Sequence, residues 1–158
     1  MSTRGKTRRW RTYAAGVAVC ALAVIPTSGG FAGTPKCEIQ PDAYCPGADL
    51  QGRDLSNANL PGANFVQANL SDAKLADANL FEALFSRASL SDANLRRATL
   101  ARANLRRANL KRAHFEGANL RRADLLNAEL LSTDFDGASF CHTTMPDGSE
   151  RSDPKGCN

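Results

Sequence analysis

A large apolar residue recurs at every fifth position from Leu50 to Met145, with no insertion anywhere in the run. Few chain geometries tolerate that period. On an α-helix five residues advance about 500°, so successive apolar residues spiral round the cylinder and form no stripe. On a flat strand side chains alternate with period two, and an odd step sends successive residues to opposite faces. All of these residues share one interior only if the chain turns about once per pentad. Such a path closes on itself and stacks as a solenoid.

The register is regular in composition as well as in spacing. Its twenty centres are fourteen Leu, five Phe and one Met. Two residues before the centre, Ala stands in seventeen of the twenty pentads; the exceptions are Arg53, Thr133 and Thr143. Just before the centre, Asn occurs eight times and Asp four times. The large residues fill a narrow interior, and Ala is what still fits beside them. A larger side chain there is expected to overpack the core at about 1–3 kcal/mol.

The run GADLQGRDLSNANLPGANFVQANL, with all that follows it to residue 145, resembles the pentapeptide-repeat proteins and their A-[D/N]-L-x-x unit. The resemblance implies an all-β fold: a right-handed quadrilateral β-helix with one pentad per side and four per coil, hence about five coils. It also implies a C-terminal cap, because FCHTTMPDGSERSDPKGC looks like that of many members, and with the cysteine-bearing segment before the run short capping loops are expected at both ends. The expected organisation is an export segment over 1–33, an N-terminal cap over 34–47, the β-helix over 48–145 and a C-terminal cap loop over 146–158. With twenty residues per coil, Phe65 is expected to lie on Phe85 and Phe115 on Phe135, where rings stack offset. The positions that are neither centre nor Ala face solvent, so any function lies there or at the ends.

The first thirty-three residues are of another kind. Arg4, Lys6, Arg8, Arg9 and Arg11 form a basic start without an acid, and a short apolar run over 13–25 ends at Pro26. Small residues follow. This is the pattern of a secretory signal peptide, too short for a comfortable membrane span. Cleavage near Ala32 or Gly33 leads to a secreted or cell-envelope protein; the alternative is an anchor formed by an uncleaved N terminus. The Arg8-Arg9 pair and Cys20 are weak matches to twin-arginine and lipoprotein signals, because Arg11 and Val19 stand where those signals want other residues.

Cleavage leaves four cysteines, Cys37, Cys45, Cys141 and Cys157, none expected at a repeat centre. An even number in an exported chain reads as disulfides, with three connectivities open. The stack separates the two ends, which favours the local pairs Cys37 with Cys45 and Cys141 with Cys157. Each would staple a loop over an open end, where unpaired backbone invites edge-to-edge association. A zinc site built from these thiols and His142 fits no known ligand spacing.

Removal of the export segment also changes the charge. The full chain has 20 basic and 16 acidic residues; five of the basic ones lie in the leader, leaving 15 against 16, net −1. The remaining charge is banded. Residues 34–92 carry net −4, residues 93–122 net +8, and residues 123–158 net −5. The cations of the middle band are Arg96, Arg97, Arg102, Arg106, Arg107, Lys111, Arg112, Arg121 and Arg122. The repeat requires Leu and Ala but not Arg. The band is therefore either a solvated surface, neutralised by acids one coil away such as Asp77, Asp92 and Asp124, or a belt wrapping most of the perimeter. As a belt it would bind something anionic, either a cell-envelope polymer or a protein surface. Aromatic residues for base stacking are nearly absent from it, which argues against specific nucleic-acid recognition. Val66, Phe81 and Leu84 are outward apolar positions and form a second candidate contact.

Catalysis has little support. The two His residues, His114 and His142, have no nucleophile partner in a recognisable motif. No cofactor and no metal are expected. The resemblance offers another function, modulation of DNA gyrase or topoisomerase by mimicry of duplex DNA. That activity needs a strongly acidic surface in the cytoplasm, and the export segment and positive middle speak against it. The sequence therefore points to an exported, non-enzymatic binding or structural module, monomeric or weakly oligomeric.

Overall fold

A computed structural model describes residues 37–154 and Cys157. The expected export segment over 1–33, with Cys20 and the alternative membrane anchor, lies outside the described residues. Among the described residues no helix is long and apolar enough to cross a membrane.

Each pentad is a turn followed by a single bridge. The centre's carbonyl accepts the N–H of the Ala three residues on, as Leu70 does from Ala73 at 3.1 Å. The third residue of that turn takes φ near +60°: 59° at Asp77, 56° at Arg97, 57° at Arg107. Backbone of this hand costs an L-residue energy through its Cβ, and Gly or Asn bear it best. Asn or Asp just before the centre supports the corner from outside. The Asn64 Oδ1 accepts the Val66 N–H at 3.0 Å, and the Asp124 Oδ1 accepts that of Leu126 at 2.9 Å. Such Asx turns are the physical reason for the Asn and Asp preference at this position.

Coils join through parallel bridges between residues twenty apart, from Tyr44 with Asn64 to Asp124 with Thr144. Successive amides point alternately down and up the stack. The Asn69 N–H donates to the Ala48 carbonyl at 2.9 Å, and the Leu70 N–H to that of Ser89 at 2.7 Å. Four corners separate each residue from its partner in the next coil, so the expected register of twenty residues holds throughout.

The centres and the Ala residues line the interior, and from Leu60 to Leu125 every centre is fully buried. The Phe65 and Phe85 rings stack at 5.3 Å between centroids, and the Phe115 and Phe135 rings at 5.1 Å. Burial is incomplete at the far end. Leu130, Phe135 and Met145 are only partly covered, because no further coil lies above them among the described residues. The Thr exceptions to Ala also have a cause. Both sit where the closing turn opens, and their hydroxyls take up backbone acceptors instead: Thr143 Oγ1 donates to the Leu120 carbonyl at 2.7 Å and Thr133 Oγ1 to that of Leu110 at 2.8 Å.

The N-terminal boundary differs from the expectation. Ala43, Tyr44 and Cys45 already form a repeat unit: Cys45 is buried at a centre position, and its N–H donates to the Asn64 carbonyl at 2.8 Å. The expectation that no cysteine occupies a centre is therefore corrected. Cys is small and apolar enough to fill the interior where the stack begins. At the other end a short antiparallel hairpin, β1 (Thr143–Thr144) and β2 (Glu150–Arg151), folds back over the last coil. There the Arg151 guanidinium lies 3.7 Å from the Phe140 ring centroid and pairs with Asp153 at 3.0 Å.

Candidate anion-binding face

The nine cations of the middle band occupy the second and third residues of the corner turns. Six meet an acid on the adjoining coil. Arg97 and Arg112 make two-pronged contacts, to Asp77 at 2.8 and 2.7 Å and to Asp92 at 2.7 and 2.7 Å. Both nitrogens of the Arg96 fork reach one oxygen of Glu116, at 2.9 and 2.5 Å. Arg102 pairs with Glu82 at 2.9 Å, Arg106 with Asp124 at 2.9 Å, and Lys111 with Glu129 at 2.7 Å. Hydrogen bonds from Arg97 and Arg112 hold Asp77 and Asp92 below the usual carboxylate range, and Arg96 does the same to Glu116. The acids expected to neutralise the band, Asp77, Asp92 and Asp124, are all partners.

The charge left over is not spread evenly round the perimeter. The twenty-residue register stacks segments 61–67, 81–87, 101–107 and 121–127 into one face with its two corners. That face carries Arg87, Arg102, Arg106, Arg107, Arg121 and Arg122 against Glu82 and Asp124. Both acids are already engaged. Arg87, Arg107 and Arg122 are exposed and make no ion pair among the described residues, while Arg121 is partly covered and engaged. The opposite face, segments 71–77, 91–97 and 111–117, has Lys74, Arg96, Arg97, Lys111 and Arg112 against Asp72, Asp77, Asp92 and Glu116. It is nearly balanced. The apolar residues singled out in the sequence, Val66, Phe81 and Leu84, fall on the arginine-rich face. Tyr44 stands below Leu84 in the same bridged column, with Asn64 between them.

The cysteines meet in local pairs. Cys37 is bonded to Cys45 with Cα atoms 4.8 Å apart, and Cys141 to Cys157 with Cα atoms 5.1 Å apart. No thiolate is left beside His142, whose Nδ1 lies 3.0 Å from a Glu150 carboxylate oxygen. One cluster was not legible in the sequence. Donor atoms of His114, Glu116 and Asp134 lie within 4.8 Å of one another, because stacking brings residues twenty apart together. The Arg96 guanidinium sits on Glu116 Oε1 there, while Glu116 Oε2 and His114 Nδ1 are buried without a hydrogen-bond partner among the described residues.

The pentapeptide repeat model matches residues 43–80, 78–117 and 108–145, with eight copies. The chain belongs to the pentapeptide repeat family. Pentapeptide repeat proteins are right-handed quadrilateral β-helices and are generally structural or binding modules. Among solved structures, the chain is similar to the pentapeptide repeat protein Rfr23 of the cyanobacterium Cyanothece 51142. Identity is 31%, over 69% of this chain and 88% of that one, with a TM-score of 0.65. It is also similar to a pentapeptide repeat protein of Nostoc PCC 7120, at 35% identity over 63% of this chain and 82% of that one, with a TM-score of 0.53. No curated protein matches the chain.

Proposed function

We propose that this pentapeptide repeat chain is an exported, non-enzymatic scaffold that binds an anionic partner. In this reading residues 1–33 are a cleaved export signal. The rest is a right-handed β-helix of about five coils, closed by a short cap at each end. The partner is a negatively charged cell-envelope polymer or protein surface. The observation that carries the reading is the uneven pairing of the arginines. Arg87, Arg107 and Arg122 flank one face and lack an ion pair among the described residues, whereas the cations of the opposite face are matched by acids. A guanidinium not already paired gives up less on meeting a new anion. Mimicry of duplex DNA needs an acidic face, and the surplus charge of this face is positive although residues 34–158 together carry net −1.

Two variants of equal net charge test this. Replacing Arg87, Arg107 and Arg122 by Gln is expected to shift elution from an anionic matrix to clearly lower salt. Replacing Arg96, Arg97 and Arg112 by Gln is expected to shift it much less. Equal shifts would show that only net charge matters and would overturn the assignment to one face. Intact mass of the native protein from culture fluid and lysate, with thiol alkylation, tests export. A chain starting near residue 33 without free thiols supports it; a full-length intracellular chain with reduced cysteines refutes it.

A further inference from the structure

At one corner of the arginine-rich face the surface is concave. The second turn residues there stack as Phe81, Ala101, Arg121 and Cys141, and the third as Glu82, Arg102, Arg122 and His142. Ala101 brings only a methyl group to a column otherwise filled by a ring, a guanidinium and a disulfide. The gap it leaves is a cleft of about 250 Å³. In the column Phe81 stands on one side of that gap and Arg121 on the other; the Cys141–Cys157 disulfide lines the cleft one coil beyond Arg121, and Arg102 and Arg122 line it as well. The Arg102 guanidinium lies 5.7 Å from the Phe81 ring centroid and is held to Glu82 at 2.9 Å. Arg122 has no ion pair among the described residues, and its N–H is anchored to the Cys141 carbonyl at 2.7 Å.

We infer that this cleft is a binding site for a compact anion carried on a planar ring, such as an aryl phosphate or an aromatic carboxylate. The ring enters above Ala101 between Phe81 and the Arg121 side chain, where apolar contact and stacking favour it. The anionic group meets Arg122, with Arg102 beside it as a second donor already oriented by Glu82. A free inorganic anion gains only the second of these contacts, and a neutral ring only the first. The inference rests on the anionic-partner reading, but it concerns a cleft and not the surplus charge of the face.

The test is a titration of the full protein with phenyl phosphate, with inorganic phosphate and phenol as controls, followed by calorimetry and by resonance shifts. Phenyl phosphate is expected to bind at least tenfold more tightly than either control and to shift the Phe81 and Arg122 resonances. Ala101→Leu fills the cleft and leaves every charge in place. Leu126 and Leu131 hold the equivalent turn position elsewhere, so this variant suits the fold. It is expected to weaken phenyl phosphate at least tenfold with elution from the anionic matrix unchanged. Arg122→Gln is expected to weaken phenyl phosphate tenfold and bring it level with phenol. Equal binding of phenyl and inorganic phosphate, or full binding to the Ala101→Leu protein, overturns the cleft. Loss of matrix retention alone, with the cleft still occupied, would count against the wider anionic-partner reading only.

Discussion

At the scale of single residues, the corner position decides how freely the surface can vary. Its backbone sits near φ +60° whether the residue is Gly62, Asp77 or Arg107. A non-glycine residue there costs about 1–2 kcal/mol, partly offset by the larger entropy that glycine loses on folding. Arg107→Gly is therefore expected to raise stability by about 0.5–1 kcal/mol, because Arg107 makes no ion pair among the described residues. Arg97→Gly is expected to gain less, since the two-pronged contact with Asp77 goes too. Urea unfolding of the two variants side by side checks this; a larger gain for Arg97→Gly would contradict it. The left-handed corner was not legible in the sequence. Glycine signals it at Gly52, Gly62 and Gly117, but Arg, Asp and Asn occupy most of the other corners and mask the pattern.

At the scale of one element, a side of the helix is a ladder, and its charges act between rungs. Asp77, Asp92 and Glu116 titrate below their ordinary range because guanidinium groups on the adjoining coil hydrogen-bond to them. A carboxyl whose folded pKa is depressed adds stability that is fully present above its unfolded pKa. That stability is lost as pH falls through the folded value. Stability is thus expected to be flat from neutral pH down to about pH 5 and to decline below about pH 4. In a protein with Arg97 and Arg112 replaced by Gln, the decline should be shallower. Denaturation midpoints across that range measure it, and an identical acid limb in both proteins would show that the ladder pairs add nothing. Salt should flatten the same limb, since these pairs are solvent-exposed and screened.

For the whole described unit, the ends matter as much as the middle. The last coil leaves Leu130, Phe135 and Met145 partly open, and the hairpin and disulfide lie over it. Cys141 and Cys157 are 16 residues apart, and closing such a loop contributes about 3 kcal/mol in the chain-entropy model. Replacing both by Ser is expected to cost about that much and to expose backbone edges that pair with other copies. Light scattering over a concentration series should then show association where the parent shows little. Unchanged stability and no association would mean that the cap is dispensable.

The interior was almost wholly legible in the sequence. A period of five excludes helix and flat strand, and each pentad meets its own burial requirement locally, so Leu, Phe and Ala name the core without reference to distant residues. The exception was Cys45, a centre in geometry that did not look like one, since the eye reads cysteine as a staple. The Asn and Asp bias was visible, but its role in supporting corners appears only with the backbone. The surface is different in kind. Whether an arginine is neutral or available depends on what stands twenty positions away and on which way both side chains lean. Sequence placed Asp77, Asp92 and Asp124 near the band. Stacking decided that Arg97, Arg112 and Arg106 take them, that Arg87, Arg107 and Arg122 make no ion pair among the described residues, and that Ala101 opens a cleft between Phe81 and Arg121. Burial repeats with the chain's own period and can be read along it, whereas charge pairing and concavity arise only between coils.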